Sequence, residues 1–223
     1  MGSLCRAVPP VLLSCLLMAG CSSGSHSGAV TSGKGRAPSA GASRTAVSTG
    51  AAKIPVGAGP QTKYTVQQQP PAGSCHYRTE KGEPLEDPAC TPGAISPAVT
   101  QANLASTICR KGGYTKNIRP PEAITRKEKE ANAASYGYSG SLGDAEYDHL
   151  ISLQLGGDPN DARNLWVEPA DPGHESGGGI NNKKDPVETK LHTAVCSGKV
   201  TLQAAQQAIV TDWTTALSRL GIG

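Results

Sequence analysis

The chain has 223 residues, 37% of them hydrophobic and 4% aromatic, with 27 Gly, 17 Pro and no Phe. This composition excludes a large, tightly packed enzyme filling the whole length, and no apolar run reaches the roughly 18 residues of a membrane-spanning helix. The net charge of +3 belongs to the tail: residues 1–74 hold six basic and no acidic residues, whereas 75–223 hold 15 basic against 18 acidic ones, which excludes a strongly basic nucleic-acid-binding domain.

Arg6 precedes an apolar run over 11–19, followed by Ala19-Gly20-Cys21. A basic start, a short apolar stretch and small residues before a cut describe a secretory signal. The Cys after Ala-Gly resembles the lipobox of bacterial lipoproteins. That resemblance implies a signal peptide over 1–20 and lipidation at Cys21. It also implies a protein held at the cell membrane by its lipid alone, facing outside the cytoplasm; an ordinary cleaved signal is the alternative. Residues 21–74 are rich in Ser, Gly, Ala, Thr, Pro and Gln. Such a segment buries too little apolar surface to offset chain entropy, so a disordered tether is expected there, with the folded domain over 75–223.

Four cysteines follow the signal: Cys75, Cys90, Cys109 and Cys196. An even count in an exported domain points to two disulfides with three possible pairings. The expected pairing is Cys75–Cys90, closing a Pro-rich loop, and Cys109–Cys196, joining distant segments. The rival is a zinc site with His76, but no Cys-x-x-Cys pair is present.

Ser96-Pro97 marks a helix start, with Val99, Leu104 and Ile108 on one face, ended by Gly112-Gly113. Pro120-Pro121 opens a helix over 122–135. The stretch 145–155 reads as a strand, Gly156 to Asn160 as a turn, and 164–167 as a returning strand stopped by Pro169. A Gly-rich loop covers 171–179. The spacing of Val187, Leu191 and Val195 predicts a helix over about 181–196. Thr201 caps a last helix carrying Leu202, Ala205, Ile209, Trp213 and Leu217, in which Trp213 is a core residue. The whole is an α+β domain: a β-hairpin and a following helix embedded in further helices.

The chemistry-bearing residues lie along strand, turn, strand and helix. Asp148-His149 with Leu150-Ile151, then Gly156-Gly157, then Asn164-Leu165-Trp166, then Asn182 with Lys184-Asp185, resembles the HNH endonucleases of the His-Me-finger (ββα-metal) class. The likeness covers roughly 95–215, with the core motif over 145–196. It implies metal-dependent hydrolysis of DNA phosphodiesters outside the cytoplasm, with RNA as the other candidate substrate. His149 would be the general base and Asn164 would hold the loop and orient it. Asp148 and Asn182 would bind one divalent cation, Mg²⁺ or Mn²⁺, with Asn181 a rival for Asn182. Arg163, Lys183 and Lys184 would meet phosphates, and His174 could substitute in the site if its loop folds back. Neighbouring strand residues point to opposite faces, so Asp148 and His149 converge only if the strand is twisted or bulged. A basic cluster over 110–129, including Arg119, could follow a phosphate backbone or form a solvated helix face. The alternative function is a non-catalytic surface lipoprotein that uses the same fold to bind a polyanion or a partner protein.

Overall fold

The computed structural model describes residues 53–180 and 182–223. The signal peptide, Cys21, the first part of the tether and Asn181 lie outside the described residues. The elements among the described residues are helices and two small antiparallel sheets, an α+β arrangement. Among the described residues no helix is long and apolar enough to cross a membrane.

The first sheet pairs β1 (Arg78–Glu80) with β2 (Glu83–Leu85). Its two-residue turn places Lys81 at φ 53° and Gly82 at φ 86°, the left-handed pair that matches strand twist in a tight hairpin. Strands of three residues carry too short an alternation to be read from sequence. The helix expected from Ser96 is only a 3-10 turn over Gln101–Ser106, broken at Asn103. There the Asn103 side chain competes for the backbone, accepting from Thr100 N–H and donating to Ala98 O.

Helix α1 (Glu122–Ser135) follows Pro120-Pro121 as expected. The second sheet pairs β3 (Glu146–His149) with β4 (Leu165–Glu168), in the register Glu146↔Glu168, Asp148↔Trp166 and His149↔Leu165. The strand expected to run to 155 ends at His149; beyond it the chain bends into a 3-10 turn over Leu153–Leu155. Asn132 of α1 covers the outer edge of β4. Its Oδ1 accepts from Val167 N–H at 2.7 Å, which fixes the hairpin against the helix.

Helix α2 (Lys184–Cys196) and helix α3 (Leu202–Thr211) pack on the loop that joins β3 to β4. Ile151 and Leu155 of that loop share one core with Leu191, Val195, Ile209 and Trp213. The last helix does not reach Leu217 unbroken. Asp212 is extended and its carboxylate accepts from Thr214 N–H and both Thr hydroxyls, starting a separate short helix α4 (Ala216–Arg219). Both expected disulfides are present, Cys75–Cys90 and Cys109–Cys196.

The tether boundary needs correction. Residues 53–74 are bonded to the domain rather than forming a free spacer. Val56 bridges Ile95, and Ile95 bridges Gly157. Gly59 N–H donates to Asp158 at 2.6 Å, Tyr64 Oη to Ile118 O at 2.6 Å, and Gln67 N–H to Glu128 at 2.7 Å. A segment too poor in apolar residues to build its own core is held here by backbone polar groups and the Tyr64 hydroxyl, which find partners on the domain.

Candidate active site

Asn164 is fully buried between β4 and the loop before it. Its Oδ1 accepts from Ile151 N–H at 3.0 Å and Ala94 N–H at 3.3 Å, and its Nδ2 donates to Ile151 O and Asp158 O, both at 3.0 Å. One amide thus closes the β3–β4 loop on itself. Asn164 holds the loop as expected, but its side chain does not bond His149; it acts on the imidazole only through the loop it ties.

His149 ends β3 and is 8% exposed. Its Nε2 lies 3.1 Å from Pro159 O. A carbonyl only accepts, so Nε2 carries the proton and Nδ1 keeps its lone pair. Burial pushes the imidazole down to about 4, against the opposing pull of Asp148 and the Pro159 carbonyl, and Arg119 and Lys184 lower it further. His149 is therefore a neutral imidazole at physiological pH with one nitrogen free to take a proton.

Asp148 points elsewhere, as the alternation of strand faces requires. Its Oδ2 accepts from Lys184 Nζ at 2.6 Å. The same ammonium, 1% exposed, donates to His149 O at 2.9 Å and to Glu188. Burial alone would lower Lys184; Asp148, Glu188 and Glu168 outweigh it and hold the ammonium well above its ordinary value. This corrects the expectation that Lys184 meets phosphates, because a buried ammonium with three partners cannot reach substrate.

The hairpin face that carries Asp148 also carries Glu146 and Glu168, paired across the strands. Glu168 is 1% exposed, and neither carboxylate oxygen has a hydrogen-bond partner. Burial, then the charge of Asp148, pushes its carboxyl well above the usual range. Burial also pushes Glu146 and Glu188 up to about 7, with Asp148 adding to both and Lys184 opposing. Asp185 is raised by burial too. Five carboxylates crowd around one ammonium. Carboxylate oxygens suit a hard divalent cation, but among the described residues no three of these groups bring ligand atoms within 4.8 Å of one another, and the Lys184 ammonium holds their centre.

Asn182 lies beside this cluster, but its amide is engaged. Oδ1 accepts from Asp185 N–H at 3.0 Å, capping α2, and Nδ2 donates to Glu146 Oε2 at 2.6 Å. Of the carboxylates here, Glu168 has the freer oxygens, while Asp148 is engaged by Lys184. Lys183 is exposed and pairs with Glu83. Arg163 is drawn to Asp161 through Nε and Nη2, at 2.9 and 2.5 Å, and also reaches Val56 O. His174 sits 3.5 Å from Asp144, whose carboxylate also accepts from Gly177 and Gly179 N–H. The Gly-rich loop folds back onto Asp144, and His174 is held there.

A polar cleft of about 220 Å³ opens where the loop after β3 meets α2, lined by Thr115, Arg119, Ser152, Gln154, Asp185 and Glu188. Arg119 is exposed, and its charge acts on His149, Glu146 and Asp185. It belongs to the basic cluster noted in the sequence. Glu146 was legible as i−2 of Asp148 on one strand face, and Glu188 as i+4 of Lys184 on one helix face. Glu168 had no such signal, since only the register of the hairpin brings it opposite Glu146.

No family model, curated protein or solved structure matches this chain.

Proposed function

We propose that the protein is a metal-dependent endonuclease that hydrolyses DNA phosphodiester bonds outside the cytoplasm, anchored there through Cys21. The observation that carries this reading is the state of His149: a neutral imidazole, its Nε2 proton fixed on the Pro159 carbonyl, its Nδ1 free. A general base needs an unprotonated nitrogen at the working pH, which Nδ1 supplies, although a value of about 4 makes it a weaker acceptor than an ordinary imidazole. Asn164 keeps the Pro159 loop closed, so the imidazole does not have to be ordered when substrate arrives.

Asp148 and Glu168 would hold a Mg²⁺ or Mn²⁺ ion, which when bound supplies positive charge to the phosphate and the leaving 3′-oxygen. Arg119 at the cleft beside the carboxylates binds a phosphate oxygen of the strand. Lys184 keeps the Asp148 carboxylate in place between β3 and α2.

The test uses the full chain with oxidised cysteines, supercoiled plasmid, and Mg²⁺, Mn²⁺ or EDTA, with His149→Ala alongside. Cleavage that needs metal and falls by about 10²–10⁴-fold in the variant supports the reading. Cleavage retained in His149→Ala overturns the assignment of the base. The second reading, a binding protein with this fold, is favoured by the Lys184–Asp148 pair, which already gives the carboxylate a cation. Folded protein that cleaves nothing in any lane would select it.

A further inference from the structure

Away from the cleft, at the far end of α2, three soft or borderline ligand groups meet. Cys196 is the last residue of α2, His192 lies one turn before it on the same helix face, and Cys109 follows the 3-10 turn at Gln101–Ser106. His192 Nε2 is 3.3 Å from Cys196 Sγ and 2.9 Å from Ile108 O, next to Cys109 in the chain. One donor atom from each of Cys109, His192 and Cys196 lies within 4.8 Å of the others. Among the described residues the Cys75–Cys90 bond has no third ligand in such reach.

We propose that reduction of the Cys109–Cys196 bond converts these three residues into a zinc site. The fastening between α2 and the preceding segment then survives in either redox state. The proposal does not depend on the nuclease reading. Tetrahedral zinc takes thiolate sulfur at about 2.3 Å and imidazole nitrogen at about 2.0–2.1 Å. Ligand atoms around such an ion lie roughly 3.5–4 Å apart, so only the two sulfurs must separate. The 5.5 Å between the Cys109 and Cys196 Cα atoms leaves room for this without moving the helix. Cys196 is exposed while Cys109 and His192 are half-buried, so the ion has a path in and water can take the fourth position.

The chemistry balances. A dithiol reductant gives two electrons and two protons to the S–S bond, leaving two thiols and its own cyclic disulfide. Zinc then displaces both thiol protons. His192 ligates through Nε2 by moving its proton to Nδ1, giving up the bond to Ile108 O.

The experiment reduces the full chain, removes the reductant without air, and adds one equivalent of Co²⁺ as a coloured stand-in for zinc. The expected result is a thiolate-to-cobalt charge-transfer band with tetrahedral ligand-field absorption, both erased by one equivalent of Zn²⁺. Oxidised protein gives neither. The band disappears in Cys109→Ser, survives in Cys75→Ser, and needs at least tenfold more cobalt in His192→Ala. Cobalt held by the carboxylates of the cleft gives no sulfur band, so that site cannot imitate this one. Circular dichroism of the reduced chain before and after Zn²⁺ shows whether metal also restores order. A reduced chain that gives no sulfur band with Co²⁺ overturns the proposal, and so does a band that persists in Cys109→Ser.

Discussion

Lys184 donates to Asp148 Oδ2 at 2.6 Å from the first turn of α2, joining that helix to β3 inside the protein. An ammonium at a helix N-terminus opposes the helix dipole, and burial adds to the cost. It is tolerated because Asp148 and Glu188 both bind it and His149 O accepts a third bond.

Replacing Lys184 by Met leaves Asp148 and Glu188 buried without a counter-charge. We expect a loss of about 3–5 kcal/mol at pH 7 by chemical denaturation. Much of it should return near pH 5, where Glu146 and Glu188, pushed up to about 7 in the fold, take up protons. A loss below about 1 kcal/mol would mean that the pair contributes no more than an exposed ion pair does.

Asn164→Asp separates shape from chemistry. The carboxylate keeps the acceptor for Ile151 and Ala94 N–H but turns a second oxygen toward Ile151 O and Asp158 O. Two buried donors become one repelling acceptor, so the variant should lose at least about 3 kcal/mol despite being nearly isosteric. Stability equal to wild type would show that the loop is held by its other contacts.

Gly157 is fixed by space. A Cβ there would stand 1.7 Å from Ile151 O and 2.8 Å from Asn164 Nδ2. Gly157→Ala must open the loop that Asn164 closes, and both stability and cleavage should fall together. At Gly173 an added Cβ meets nothing within 4 Å, so Gly173→Ala tests only its φ of +84° and should cost about 1 kcal/mol.

The hairpin and α2 were legible because their signals are local. Gly156-Gly157 and Pro169 punctuate the strands, and Val187, Leu191 and Val195 repeat at helical spacing. Asn164 stood out by its place in the motif, and the cysteine count gave two disulfides, of whose three possible pairings the favoured one is present. What failed depended on partners far away in sequence. Lys184 reads as a phosphate-facing lysine until Asp148, 36 residues earlier, binds it together with Glu188. The 53–74 segment reads as a spacer because its anchors, Ile95, Ile118, Glu128 and Asp158, all lie elsewhere in the chain. Glu168 becomes part of the site only through its register with Glu146.

The two disulfides should differ in weight. The Cys75–Cys90 bond spans 15 residues and the Cys109–Cys196 bond 87. If each acts by restricting the unfolded chain, losing the first costs about 3 kcal/mol and losing the second about 4.5 kcal/mol. Paired Cys→Ser variants measured by denaturation in metal-free buffer give the order directly. A larger loss for the short loop would place its effect in the folded packing of Cys75 against Tyr136 and Trp166 instead.

His149 gives the fold a dependence on acid with a definite sign. Its imidazole is held down at about 4, against an ordinary value near 6.5. Between those limits the unfolded chain binds a proton that the folded chain refuses. The contribution of a buried neutral His149 is therefore complete above about pH 6.5 and lost as pH falls toward 4. The difference corresponds to ~3 kcal/mol. Glu146 and Glu188 act in the opposite sense: raised to about 7, they stabilise below their unfolded values and lose that contribution as pH rises through 7. The His149 part is isolated by comparison with His149→Asn, which can still donate to Pro159 O. From pH 7 to pH 4, wild type should lose ~3 kcal/mol more than the variant. Parallel curves would mean that the imidazole keeps its ordinary value inside the fold and takes up a proton there as readily as in the unfolded chain, so burial would not hold it neutral.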